Sequence, residues 1–323
     1  MVEYSDILAA KARLDGQAVL TPLLEAPQIN EIAGRRVLVK AECLQRTGSF
    51  KFRGAWNRVS AITPDQRAGG VVAASSGNHA QGVALSCKLL DMPAIIVMPA
   101  DAPKAKIDAT RAYGADIVFY DRDSEDRDAI TEALATERGA SFVHPFDDPM
   151  VIAGQGTCGL EIAGQARARG VERGTMLTCC GGGGLSSGIA LALEKDAPSL
   201  RVRPVEPEGF DDFGRSLVAG ERCRNAPGQS SIQDAILTPS PGSLTFPVGQ
   251  RLFGPGLTVA DAETLRAVAL AWQWLKIVLE PGGAAALTAA LFRGDGLDDG
   301  PVIVTASGGN VDPAMFARAL QTL

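Results

Sequence analysis

One lysine, Lys51, stands in the stretch TGSFKFRGA among small, hydroxyl-bearing and aromatic neighbours, just ahead of an amphipathic helical pattern. Lysines are mostly exposed, so a solvated charge at a helix start is the ordinary role for such a residue. In a desolvated pocket the same amine has a lowered pKa and becomes a nucleophile and a base. A second constellation is CCGGGGLSSG, in which Gly181, Gly182, Gly183 and Gly184 follow a strand pattern and precede a helical one. Successive glycines let the backbone turn sharply and bring its N–H groups to an anion, with the dipole of the next helix adding attraction. Four in a row exceed what a tight turn needs and cost entropy on folding, so a phosphate is the expected guest. A dinucleotide is one candidate: Gly182, Gly184 and Gly188 loosely imitate a Rossmann turn, and Glu206 ends the following strand where a ribose-binding acid would stand. G-x-G-x-x-G itself is absent, and no lysine follows the glycines as it would in a P-loop.

The elements that must position these residues alternate along the chain. Runs at 36–40, 70–75, 94–98, 116–120, 175–180, 200–206 and 301–307 read as buried strands. Helical patterns lie between them, at 52–62, 79–90, 103–113, 125–138, 150–169, 185–195, 261–279 and 312–321. Such alternation predicts the α/β class, with parallel sheets covered by helices and ligands beyond the carboxyl ends of the strands. Three strand ends are unusual: AASSGNHAQG, CCGGGGLSSG and TASGGNVD. Residues 207–258, rich in Pro, Gly and Ser, are expected to form a long irregular surface segment.

Composition narrows the chemistry. The chain has 323 residues, 46% hydrophobic and 21% charged, more naturally two domains than one. A net charge of -6 without a basic run argues against a nucleic-acid partner. The N-terminus lacks a signal-peptide apolar core, and the apolar runs are short of a membrane span, so a soluble cytoplasmic protein is expected. The two histidines, His79 and His144, leave little material for a Ser-His-Asp or multi-histidine metal mechanism. The six cysteines show no C-x-x-C pair and read as free thiols, with Cys179 and Cys180 buried.

Six ordered motifs carry a resemblance: KAECLQRTGSFKFRGA, SSGNHAQGVA, VIAGQGTCGLE, CGGGGLSSG, LEPGGAAAL and SGGNVD. In this order, over roughly residues 15 to 315, the chain resembles the fold-type II pyridoxal-phosphate enzymes, in the branch of serine/threonine dehydratases, serine racemases and 3-hydroxyaspartate dehydratases. The resemblance implies two open parallel-sheet α/β domains with the cofactor in the cleft between them. The large domain would be 1–69 plus 148–323, and the small one 70–147. It also implies a homodimer.

Carried onto this chain, the resemblance makes Lys51 the residue that holds pyridoxal 5′-phosphate as a Schiff base. Phe50 would pack on the pyridine ring and Asn78 would hydrogen-bond its 3′-hydroxyl. Gly181, Gly182, Gly183 and Gly184 would cradle the phosphate, and Ser307 would face the ring nitrogen. Ser75, Ser76, Gly77, Asn78 and His79 would grip the substrate α-carboxylate, largely through backbone N–H groups. Ser76 would also move a proton on the opposite cofactor face, or else simply bond the loop backbone. Glu206, Asp212 and the carbonyl of Phe210 would bind Mg²⁺ or Ca²⁺. Arg127, if it reaches the pocket rather than standing exposed among acids, would meet a second substrate carboxylate.

The implied reaction is β-elimination of water from 3-hydroxyaspartate, threonine or serine, with release of ammonia and a 2-oxo or imino acid. Racemisation is the alternative within this class, and a dinucleotide-binding oxidoreductase the alternative outside it. The chain stops at Leu323, soon after SGGNVD, so the regulatory extension of biosynthetic threonine dehydratases is not expected. Residues 238–247, TPSPGSLTFP, depart from familiar serine racemase sequences near the substrate, which puts simple serine or threonine specificity in doubt.

Overall fold

The computed structural model describes residues 2–75, 77–102, 104–121 and 124–323. Among them the strands are β1 (Leu23–Leu24), β2 (Val37–Lys40), β3 (Val71–Ala74), β4 (Ala94–Pro99), β5 (Asp116–Tyr120), β6 (Ser141–Phe142), β7 (Gly174–Cys179), β8 (Leu200–Pro207), β9 (Leu257–Val259) and β10 (Val302–Thr305). They form two sheets. One runs β1-β2-β10-β7-β8-β9, and the other β5-β4-β3-β6. Every pairing is parallel except that of β1 with β2. The last strand enters the centre of the larger sheet, with Val302 opposite both Val37 and Thr175.

Helices cover both faces, which is why the strands read as continuous apolar runs rather than alternating ones. Helix Pro281–Phe292 packs on one face of the larger sheet, where Ala285, Leu287 and Ala289 join Val37, Val304 and Leu177. Helices Pro149–Ala168 and Gly184–Asp196 cover the opposite face, burying Ile162 and Ile189 against Leu38, Met176 and Ile303. Burying one such side chain stabilises the fold by roughly 1.5–3 kcal/mol.

Helix Lys51–Ser60 joins the two bodies. Its Ala55 and Val59 belong to the core of the smaller sheet with Val71, Ala73 and Ile96. Phe52 and Trp56 pack instead on Ile152 and Leu191 of the helices beneath the larger sheet. Both sheets therefore hold the lysine that opens this helix.

Two expectations need correction. Residues 207–258 are largely loops, as expected, but not throughout: they contain helices Asp212–Ala219 and Thr245–Leu252 and the start of strand β9. Phe213, Phe246 and Phe253 of this segment pack together in the core. The glycines and prolines of the segment separate short elements that are too brief for periodicity to reveal. The helix expected over 261–279 also ends early. Helix Asp261–Leu270 widens into a π-helical turn, Ala271–Leu275, and Lys276 stops it at φ 60°. Pro281 then holds Glu280 extended, at φ -80° and ψ 156°, and opens a new helix.

Candidate active site

The three unusual junctions meet. β3, β7 and β10 all release their chains at carboxyl ends facing one cleft of about 620 Å³, lined by Lys51, Ser75, Asn78, all four glycines of 181–184, and Ser307. Antiparallel bridging of Ser49 to Gly308, and the bond from Phe50 N–H to Ser307 O (3.1 Å), tie the lysine loop to the end of β10.

Lys51 is half-buried, with its Nζ donating to Pro145 O at 2.8 Å and 5.2 Å from the Phe50 ring centroid. Burial lowers its pKa to about 8, opposed by the charge of Glu280. The approach to Lys51 is strained. Thr47 is a β-branched residue held at φ 60°, its hydroxyl buried without a partner among the described residues and its carbonyl accepting from Asn310 Nδ2 at 2.7 Å.

The glycine loop is required by packing as well as by turning. A Cβ on Gly182 would lie 2.2 Å from the Phe146 ring, and one on Gly183, at φ 89°, would lie 2.3 Å from Phe213. Among the described residues, the N–H groups of Gly181, Gly182, Gly183 and Gly184 donate to no protein acceptor. The Thr238 hydroxyl and the Gln155 amide, buried atoms on the cleft wall, also have no partner among the described residues. Buried polar groups are rarely left unbonded unless a ligand or water completes them.

Asn78 opens helix Asn78–Leu89 and is bonded on both sides. Its Nδ2 donates to Glu280 Oε1 at 2.5 Å, and its Oδ1 accepts from Asn310 Nδ2 at 2.7 Å. One Asn78 amide hydrogen remains for a guest. Glu280 and Asn310 were not singled out from the sequence. Burial raises the Glu280 pKa to about 7. The available signal was an acid standing alone in the apolar run LEPGGAAAL.

Ser75, Gly77 and His79 line the cleft, and Ser75 Oγ accepts from Gly77 N–H at 3.1 Å. Ser76 lies outside the described residues. His79 uses Nε2 on Val143 O (3.0 Å), and its pKa falls to about 3 through burial and then the Lys51 charge, so the ring is neutral. His144 Nδ1 accepts from the N–H of Asp147 at 2.8 Å and shapes the turn that presents Pro145. Ser307 is buried between Gly283, to which its N–H donates, and the lysine loop.

Arg127 does line the cleft, at the first position of helix Arg127–Arg138, but its guanidinium is paired with Asp128 at 2.7 Å. Glu206 is not a ribose acid. It is buried at the end of β8, away from the cleft lining, and accepts from the N–H groups of Phe213 and Gly214, both at 2.8 Å. Burial and the nearby Asp212 push its pKa well above the carboxylate range. Asp212 rises to about 6, chiefly through burial; Oδ1 is held by Asn225, and Oδ2 is buried without a partner among the described residues. Among the described residues no three His, Cys, Asp or Glu side chains cluster as a metal site.

Comparison with known proteins covers nearly the whole chain. The family model described as pyridoxal-phosphate dependent enzyme matches residues 15–308. An L-threo-3-hydroxyaspartate ammonia-lyase from Pseudomonas sp is 43% identical, with 98% of each chain covered. A serine racemase from Schizosaccharomyces pombe is 37% identical over 98% of this chain and 97% of its own. A solved serine racemase from Dictyostelium discoideum superposes with a TM-score of 0.88 at 37% identity, covering 96% of this chain and 99% of the other. A solved threonine deaminase superposes with a TM-score of 0.90 at 42% identity, with the same coverage of the two chains. These matches overturn the reading as a dinucleotide-binding oxidoreductase.

Proposed function

We propose that this chain, which belongs to the pyridoxal-phosphate dependent enzymes, is an ammonia-lyase that removes the β-hydroxyl and the amine of 3-hydroxyaspartate. The products are ammonia and a 2-oxo acid, here oxaloacetate, with the water lost in elimination regained on hydrolysis. The observation that carries this reading is a half-buried amine, Lys51, in one cleft with four glycines whose N–H groups have no protein partner among the described residues. The 3-hydroxyaspartate ammonia-lyase relative supports the choice of substrate.

The residues present fit the cofactor. The unpartnered N–H groups of Gly181, Gly182, Gly183 and Gly184 would hold its phosphate, and the orphaned Thr238 hydroxyl lies on the same wall. Phe50 would cover the ring face, Asn78 would meet the 3′-hydroxyl, and Ser307 the ring nitrogen. Pyridoxal phosphate, when bound, supplies an electron sink for the substrate α-carbon. Lys51, with its pKa near 8, is suited to take and return the α-proton close to neutral pH. The loop 75–79 precedes and opens a helix whose first N–H groups suit the α-carboxylate. Ser307, buried and neutral where an acid could stand, would leave the ring nitrogen without a negatively charged partner.

Residues 70–147 are proposed as the part that closes over substrate, excluding water. The separate sheet β5-β4-β3-β6 supports that division, although helix Lys51–Ser60 shares its core. Glu206, Asp212 and the Phe210 carbonyl are proposed to bind a divalent cation. Two buried carboxylates with raised pKa values, one of them with an orphaned oxygen, support it. The exposed side chains of Trp272, Trp274 and Val278 support association as a homodimer. The unpaired cysteines support a cytoplasmic setting. No helix among the described residues is long and apolar enough to cross a membrane. Racemisation is the second reading, favoured by the serine racemase relative; its proton donor would be Ser76.

The test is release of 2-oxo acid from resolved isomers of 3-hydroxyaspartate beside L-threonine and L-serine. Preference for a hydroxyaspartate isomer is expected. Equal or better turnover of threonine or serine overturns the substrate assignment, and formation of D-serine without ammonia favours the racemase.

A further inference from the structure

We infer that Arg222 is the receptor for the second carboxylate of the substrate and so determines specificity for a dicarboxylic amino acid; this rests on the substrate reading above. Among the described residues four cationic side chains line the cleft: Lys51, Lys106, Arg127 and Arg222. The charges of two are already matched, Lys106 by Asp234 and Arg127 by its neighbour Asp128. Both Nε and Nη2 of Arg127 lie on Asp128 Oδ1, so a substrate carboxylate would have to displace an existing pair. The Lys51 amine is committed to the reacting end. Arg222 has no carboxylate partner among the described residues. Its Nε donates to Pro241 O at 2.9 Å, and both terminal nitrogens lack a protein partner there.

The backbone around Arg222 is held against the cleft wall. Helix Asp212–Ala219 ends at Gly220, in the left-handed conformation at φ 76°. Past it, Cys223 N–H donates to Ser216 Oγ at 2.8 Å. Asn225 N–H donates to Pro239 O at 2.9 Å, and Asn225 Nδ2 to Thr238 O at 2.9 Å. The segment 238–242 is in turn bonded to the glycine loop, through Gly242 N–H to Gly182 O at 3.2 Å. The Arg222 guanidinium is thus positioned relative to the phosphate cradle by a chain of hydrogen bonds. Its terminal edge offers the planar fork that grips a carboxylate in two places. A threonine or serine, with no second carboxylate, gains nothing from it. This supplies a physical reason for the unusual sequence at 238–247: Pro239 and Pro241 present the carbonyls that anchor Asn225 and Arg222.

The test compares holoenzymes of wild type, Arg222→Gln, Arg222→Lys and Arg127→Gln. The visible cofactor band reports that each is loaded. The ratio of kcat/KM for L-threo-3-hydroxyaspartate to that for L-threonine is expected to fall about tenfold to a hundredfold in Arg222→Gln, mainly through KM. Arg222→Lys should fall less, since a point charge keeps part of the attraction. Succinate binding, measured by calorimetry, should weaken in parallel. Arg127→Gln should change the ratio by less than about threefold, as for a pair already satisfied on the surface. A wild type that prefers hydroxyaspartate with an Arg222→Gln variant that keeps the ratio within about twofold overturns the role of Arg222 and leaves the substrate reading standing. Collapse of the ratio in Arg127→Gln alone assigns the receptor to Arg127 and likewise overturns it. A wild type that prefers threonine overturns the substrate reading itself.

Discussion

Two buried polar clusters flank helix Lys51–Ser60, and they are finished differently. Behind Lys51, Arg53 donates to both oxygens of Glu42 (2.7 and 2.8 Å) and both of Glu161 (2.7 and 2.8 Å). Lys40 completes this cluster through Glu161, Thr21 O and Gln165, at 2.6, 2.7 and 3.0 Å. Every charge there has its partners. In front of Lys51, the glycine N–H groups, the Thr238 hydroxyl and the Gln155 amide have none among the described residues. The same helix thus has a satisfied network that holds it in place and an unsatisfied face that awaits a guest. Rigidity and binding capacity are separated by the short step in sequence from Lys51 to Arg53.

Substitutions on the two sides should therefore fail differently. Lys51→Ala is expected to lower kcat by at least about 10³-fold. Denaturant unfolding should meanwhile show no loss of stability beyond about 1 kcal/mol, because an amine that burial disfavours has been removed. A variant that keeps its turnover sinks the assignment of Lys51. Arg53→Met should do the reverse and cost about 3–5 kcal/mol by leaving Glu42 buried without its cation. Combining it with Glu42→Leu should recover part of the loss. If the double variant is as unstable as the single one, the unpaired charge is not the cause.

Glu280 sharpens the contrast by its pH dependence. Its folded pKa, about 7, lies above its ordinary value of 4.5. Its contribution to stability is therefore complete below about pH 4.5 and is lost as pH rises through about 7. Relative to Glu280→Gln, the wild type should lose up to about 3 kcal/mol across that window in urea titrations. Parallel stability curves for the two proteins would refute the raised pKa. The smallest effect is expected of Gly182→Ala. The added methyl meets the Phe146 ring, and overpacking of this kind costs about 1–3 kcal/mol. That strain should appear as easier loss of the cofactor's visible band on dialysis, and undiminished retention would argue against the glycine cradle.

Much of this protein was legible before folding. Continuous apolar runs such as AIIVM and PVIVTAS marked strands buried on both faces, because helix-covered parallel sheets have no polar side to alternate with. The three irregular strand ends marked the cleft, since only loops at those ends can gather residues from distant parts of the chain. Helix Pro281–Phe292 escaped notice because it is buried from Pro281 through Leu291, and a helix without a solvent face has no periodicity to read. The short elements of 207–258 were hidden for the opposite reason: each is too brief to set up a pattern.

The motifs by themselves determined the family, because residue type and order are enough to specify a lysine, a run of four glycines and the strand-end loops that accompany them. Tertiary structure decided which charges remain free. Arg127 stands beside its partner in sequence, whereas the partners of Lys106, Asn78 and Glu42 are set by the meeting of remote segments. Net electrostatics in a cleft depends on distance and burial, which composition does not encode. That is why Glu280 and Arg222, unremarkable in the sequence, become conspicuous only once the chain is folded.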